Sequence, residues 1–243
     1  MKKFGLIGGL SWTSTASYYQ IINEGVARRA GGLHSAPLVI ESLDFAEVAR
    51  CTTKEDWDCA AEQLIVAARR VEAAGAQGMV ICANSMHTIY DRIAAAVAIP
   101  IIHIADVVGD RMQADGIKSA ALIGTRNVMT EKFYRQRLVA RGVSLLPPDM
   151  ELADRIDHIL YDELMMGKAT RDAQITLNPA DVDRPQTLMV FLCQGLSVLP
   201  PSLYLNNPLF KEINVPLPSR VVREAAVLQL SSVLSVEPPV LPK

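Results

Sequence analysis

Short apolar runs bounded by glycine or proline alternate along this chain with longer stretches in which apolar residues recur every three to four positions. The runs predict strands over 3–7, 37–43, 78–82, 100–104, 119–123 and 143–146, and the periodic stretches predict helices over 13–29, 55–74, 86–97, 107–114, 129–141 and 151–166. Strand, helix, strand in steady succession is the sequence form of βα units with parallel strands, so the fold class is α/β. Gly75, Gly116 and Gly142 each follow a predicted helix, where a left-handed cap is expected. Tyr18, Tyr19 and Trp12 are expected to pack the first helix against its sheet or against a second subunit.

Gly5-Leu6-Ile7-Gly8-Gly9 and Ala121-Leu122-Ile123-Gly124-Thr125 echo one another, each an apolar run entering a small-residue turn before a helix. The echo suggests two similar α/β domains, each a parallel sheet flanked by helices, with an interdomain cleft; unrelated βα turns also look alike over five residues. The expected boundaries are 1–105 for the first domain, 106–218 for the second, irregular after 172, and 219–243 for a C-terminal helix and tail. Ten of the 14 prolines and one of the 14 glycines fall beyond Asp172, and Pro179 and Pro185 interrupt any long helix there. Within that region 188–193 and 214–217 read as strands, 220–234 as a helix and 238–243 as an extended tail.

Composition narrows the function. With 24 basic and 26 acidic residues interspersed, nothing offers a basic face for nucleic acid or a polybasic segment for a membrane. The most apolar stretch, 94–105, is broken by Pro100 and His103 and falls short of the roughly 20 residues of a membrane span. Residues 1–9 read as a first strand and not as a targeting signal, because polar Ser11, Thr13, Ser14 and Thr15 follow. Cys51, Cys59, Cys82 and Cys193 lie at irregular intervals without a C-x-x-C pair, so neither a disulfide framework nor structural zinc is expected. Unpaired thiols point to a cytoplasmic protein.

No dinucleotide fingerprint, phosphate loop, H-E-x-x-H or G-x-S-x-G is present, and no cofactor is expected. What remains are small polar residues at strand ends. Gly9, Leu10 and Ser11 follow the first strand with Thr13 and Thr15 close behind, and their backbone N–H groups at a helix N-terminus suit a small anion; an ordinary cap and tight turn would look the same. Asn84 and Ser85 follow the third strand in the same manner, Gly124-Thr125 with Thr130 repeats it, and Leu192-Cys193-Gln194-Gly195 is the candidate partner turn.

Gly8-Gly9-Leu10-Ser11-Trp12-x-Ser14-Thr15, Gly32-Leu33-His34-Ser35-Ala36, Asp44-Phe45, Asn84-Ser85-Met86-His87, His103-Ile104-Ala105-Asp106 and Gly124-Thr125-Arg126 resemble the aspartate/glutamate racemase family, in one order from Phe4 to about Thr170. The resemblance implies two similar α/β domains, a site in the cleft between them, a small acidic amino acid as substrate and no pyridoxal phosphate, metal or nucleotide. It implies a homodimer, since relatives are often dimers. Family members invert Cα with one proton carrier from each domain, commonly two thiols.

Carried over residue by residue, the resemblance puts the first carrier immediately before Asn84, at Ala83, which cannot carry a proton. Cys82, one step earlier, is a second catalytic candidate if the strand end is irregular; regular alternation makes it a core thiol. Cys193 is the candidate for the other carrier, although Leu192-Cys193-Gln194-Gly195 keeps only the cysteine of the family's Gly-Cys-Thr-Glu. Residues 173–243 fit either a diverged sequence or a disrupted reading frame. Lys168 matches a basic position of many relatives that could meet a substrate carboxylate, and His87 reads as a packed or solvated histidine. The expected function is cofactor-independent racemisation of aspartate, glutamate or a related acid, impaired at position 83. Two alternatives stay open: a decarboxylase that needs one cysteine, and a catalytically silent binder of an acidic metabolite.

Overall fold

A run without polar side chains can be buried on both faces, and Phe4–Gly8 is: it forms β1, wholly buried and an inner strand of a four-stranded parallel sheet. The computed structural model describes residues 1–53, 56–166, 168, 170–176 and 188–191, which divide between two units, Met1–His103 and the residues from Ile104 onward.

In the first unit β1 is followed by α1 (Trp12–Ala30), β2 (Leu38–Ser42), α2 (Phe45–Thr53), α3 (Trp57–Ala73), β3 (Met79–Ile81), a 3-10 turn (Ser85–Ile89), α4 (Tyr90–Ala94) and β4 (Ile101–Ile102). The strands run parallel in the order β2-β1-β3-β4, with Leu6 paired to Ile40 and to Val80. Helix α3 supplies the main cover. Its Ala60, Ala61, Leu64, Ala67, Ala68 and Val71 are buried, and the alanines let the helix lie close to the sheet. At Gly5 the approach leaves no room for a side chain, because a Cβ there would overlap Val71 Cγ1. Each large side chain taken fully from water here, such as Leu64, Ile81 and Ile93, contributes about 1.5–3 kcal/mol.

The second unit contains α5 (Ile104–Ala114), β5 (Ser119–Ile123), α6 (Arg126–Thr130), α7 (Lys132–Val139), β6 (Ser144–Leu145), α8 (Met150–Asp162), a 3-10 turn (Leu164–Met166), α9 (Arg171–Thr176) and β7 (Leu188–Phe191). Its described strands are parallel in the order β6-β5-β7, and Ile123 pairs with Phe191. The helix expected over 129–141 is two helices, because Glu131 turns extended with ψ of 154° between them. Thr130 Oγ1 bonds back to the Arg126 carbonyl at 2.9 Å, a local bond that competes with helix continuation. The segments expected over 192–243 lie outside the described residues.

One expectation fails outright. Cys51, near the end of α2, and Cys59, in the first turn of α3, are joined in a disulfide across a separation of eight residues. Irregular spacing in sequence hid a pair whose Cα atoms lie 5.7 Å apart, inside the ordinary range for such a bond. The step from unpaired thiols to a cytoplasmic protein keeps only Cys82 as a free thiol among the described residues. No helix among the described residues is long and apolar enough to cross a membrane.

Candidate functional site

Parallel strands deliver their carboxyl ends to one edge, so in the first unit Gly9 to Ser11, Leu43, residues 82–85 and His103 gather there. The turn after β1 is built around Gly9. Its φ is 77°, and a Cβ would overlap the Leu43 backbone, which is held by Leu43 N–H donating to the Gly8 carbonyl at 3.0 Å. Gly9 N–H donates to Thr15 Oγ1 at 2.9 Å, pinning the turn onto the first coil of α1. Ser11 follows with φ of 73°, a conformation that costs a residue with a side chain about 1–3 kcal/mol and persists only where its surroundings hold it. Its hydroxyl shares a 2.7 Å bond with Thr13 Oγ1 and does not cap the helix. The N-terminal N–H groups of α1 therefore lack a side-chain acceptor from Ser11, and no acidic residue stands in the first turn. Leu10 is a core side chain, so only its backbone is available to a ligand. Trp12, 70% exposed, and Tyr19 lie on the open face of α1, whereas Tyr18 is buried.

The end of β3 is regular. Cys82 N–H donates to the Ile7 carbonyl at 2.8 Å, continuing the ladder, and the thiol points into the core with no exposure. Burial pushes the Cys82 thiol far above the ordinary range. A thiol held this way supplies no base near neutral pH. Its share of stability is fully present below about pH 8.5 and is lost progressively as pH rises from there toward its folded value. Native protein at pH 8 is expected to leave Cys82 unalkylated by iodoacetamide while denatured protein labels it fully; peptide mass mapping checks this, and rapid native labelling would remove Cys82 from the core.

Ala83 follows, half-buried, and then Asn84, 9% exposed, whose Oδ1 is buried with no hydrogen-bond partner among the described residues. An unpaired buried acceptor costs about 1–3 kcal/mol, so a partner there has something to gain. Ser85 opens the 3-10 turn and is partly exposed. His87 is a packed histidine, 2% exposed. Its Nδ1 lies 2.9 Å from the Ala83 carbonyl and must carry the donated proton. Its ring meets His103 edge-on at 4.7 Å between centroids, and His103 meets Tyr90 in the same way at 4.7 Å, while Tyr90 donates to the Ile101 carbonyl at 2.7 Å. Sequence reasoning missed this ring cluster. Tyr90 three residues after His87, with His103 at the next strand end, is the only signal for it.

In the second unit Thr125 stands at the start of α6, buried, with Oγ1 unpaired among the described residues. The next N–H is already taken: Arg126 donates to Asp157 Oδ1 at 2.7 Å, and the Arg126 side chain also pairs with Asp154. The chain's own carboxylate thus occupies the donor that sequence offered to a ligand. Lys168 is exposed after the second 3-10 turn, and its backbone N–H donates to the Glu163 carbonyl at 3.0 Å. Cys193 lies outside the described residues, two positions beyond Phe191, where β7 ends.

The model of the Asp/Glu/hydantoin racemase family matches residues 7–178. Among solved structures, one described as an Asp/Glu racemase from Yersinia pestis is 34% identical with a TM-score of 0.78, over 94% of this chain and 99% of that one. An aspartate racemase homologue from Pyrococcus horikoshii OT3 is 25% identical with a TM-score of 0.72, over 96% and 100% of the two chains. Aspartate racemase from Picrophilus torridus, 14% identical, shares the fold with a TM-score of 0.66 over 93% of this chain and 100% of its own.

Proposed function

We propose that this chain, which belongs to the Asp/Glu/hydantoin racemase family, binds aspartate, glutamate or a related amino acid and moves a proton at Cα without a cofactor, with one of the two carriers missing. The observation that carries the reading is the end of β3, where Ala83 immediately precedes the buried, unpaired Asn84 Oδ1. An orphaned amide oxygen accepts from an α-ammonium group. The N–H groups at the start of α1, which Ser11 does not cap, donate to a carboxylate. Together they recognise an amino-acid zwitterion. Ser85 is a further contact at this strand end, and Thr125 and Lys168 remain the candidates that the sequence offers in the second unit.

Inversion needs proton carriers on opposite faces of Cα. The family resemblance gives Cys193 as the carrier for one face. On the other, Ala83 has no proton to give, and Cys82 is buried with its thiol pushed up. The same pair, one alanine and one cysteine, favours a second reading in which loss of CO2 generates the carbanion and a single thiol protonates it.

The test incubates the protein with L- and D-aspartate and glutamate in D2O, following the Cα proton by NMR and handedness by chiral chromatography. The expected result is ligand-dependent thermal stabilisation with racemisation about 10²–10⁴-fold below that of a two-carrier enzyme. Racemisation at the ordinary rate of the family would sink the assignment of position 83. Neither stabilisation nor exchange at millimolar amino acid would sink the zwitterion site, and CO2 release from a substituted malonate would favour the second reading.

A further inference from the structure

We propose that Cys51 and Cys59 form a reversible thiol–disulfide site, in which Cys59 meets a hydroperoxide and Cys51 closes the bond. Neither residue belongs to the strand-end site, so the pair stands or falls apart from the racemase reading.

Reversibility follows from how the two residues are held. Asp56 N–H donates to the Cys51 carbonyl at 3.0 Å, and Asp56 Oδ1 accepts from Cys59 N–H at 3.0 Å. One residue therefore ties both cysteine backbones together without help from the sulfur bond. Val48, fully buried one turn before Cys51, anchors α2 in the core, and Ala60, adjacent to Cys59, anchors α3. These ties persist when the bond is reduced, so the thiols remain neighbours and the disulfide can re-form.

The two sulfurs differ in access. Cys51 is 5% exposed, whereas Cys59 is only half-buried, at the rim of the core, and is the more accessible of the two. Cys59 also sits in the first turn of a 17-residue helix, whose N-terminus favours a thiolate, although the Asp56 and Asp58 carboxylates oppose it. Gln63 Nε2 lies 3.2 Å from Cys51 Sγ and 3.8 Å from Cys59 Sγ, a donor poised over both. Cys59 is the accessible thiol and Cys51 the sheltered resolving one.

The chemistry balances with hydrogen peroxide as the oxidant. Cys59 thiolate attacks one peroxide oxygen, the O–O bond breaks, and the departing hydroxide takes a proton to leave as water. Cys51 thiolate then attacks the Cys59 sulfenic sulfur, the S–O bond breaks, and a second water departs as the S–S bond forms. Two thiols have lost two electrons and two protons, and one peroxide has become two waters. A dithiol reductant returns both and is itself oxidised to its disulfide.

The experiment uses the full chain, reduced with dithiothreitol, desalted and treated with equimolar hydrogen peroxide. Peptide mapping after differential alkylation is expected to find the 51–59 linkage, and dimedone present during oxidation should mark Cys59 and not Cys51. Closing so short a loop removes unfolded-state entropy, so the melting midpoint of the oxidised protein should exceed that of the reduced one by about 5 °C. Hydrogen exchange over residues 45–53 should slow on oxidation. In Cys51→Ser the sulfenate should accumulate at Cys59; if that variant fails to fold, dimedone competition in the unaltered chain reads the same step. The proposal is overturned if peroxide leaves the pair unlinked, if dimedone marks Cys51 first, or if the two forms melt within about 1 °C of each other.

Discussion

Gly9→Ala is expected to destabilise the first unit by about 2–5 kcal/mol, a large share of an ordinary stability of about 5–15 kcal/mol. Two costs combine. A residue with a side chain at φ of 77° gives up about 1–2 kcal/mol. The new Cβ also overlaps the Leu43 backbone, which cannot retreat without breaking its bond to the Gly8 carbonyl. Gly32→Ala separates the two, since Gly32 has φ of 59° but no atom within 4 Å of the same Cβ among the described residues. That control should lose only the conformational share. Both tryptophans, Trp12 and Trp57, belong to the first unit, so their fluorescence during urea unfolding follows that unit. Equal losses for the two variants would mean that Leu43 yields freely and that the turn is not clamped.

The same turn illustrates what sequence can carry. A short apolar run bounded by turn residues marks a strand, and 119–123 is strand over the span the run predicts, with Ala120, Leu122 and Ile123 buried. Helix ends at Gly75, Gly116 and Gly142 are legible because each residue takes a positive φ that glycine alone adopts cheaply. Helix α2 is not legible: two turns with Val48 and Cys51 as their buried side chains offer too few periodic positions. Without α2 the nearness of Cys51 to Cys59 has no sequence signal, and the disulfide is missed with it. The site divides in the same manner. Small residues after strands mark the turns at Gly9, Ser11, Asn84 and Thr125, since strand end and turn are local features. Asp157 reaching the Arg126 N–H from 31 residues away is a tertiary contact, as is the meeting of His87 with His103. Local pattern carries neither.

Ala83→Cys is expected to raise racemisation of the preferred amino acid by about 10²–10⁴-fold, the range over which a positioned acid/base acts. The substitution is small. Ala83 is half-buried at a strand end, packed against the edge of the first unit's core, so one added sulfur asks for little rearrangement. Unlike Cys82, the new thiol would not be shut into the core, and a thiol outside it titrates near pH 8.5, within reach of neutral conditions. The His87 imidazole, already donating to the carbonyl of residue 83, keeps that backbone in place in the variant. Combining Ala83→Cys with Cys193→Ala should abolish the gain, because one carrier exchanges the Cα proton from a single face and cannot complete an inversion. Ala83→Ser, similar in size but with a hydroxyl that does not ionise in this range, should recover far less and so separates proton transfer from packing. A gain that survives Cys193→Ala would place the second carrier elsewhere. No gain, in a protein that still melts at the unaltered temperature and is still stabilised by the amino acid, would leave the zwitterion site standing and remove the two-carrier chemistry from it.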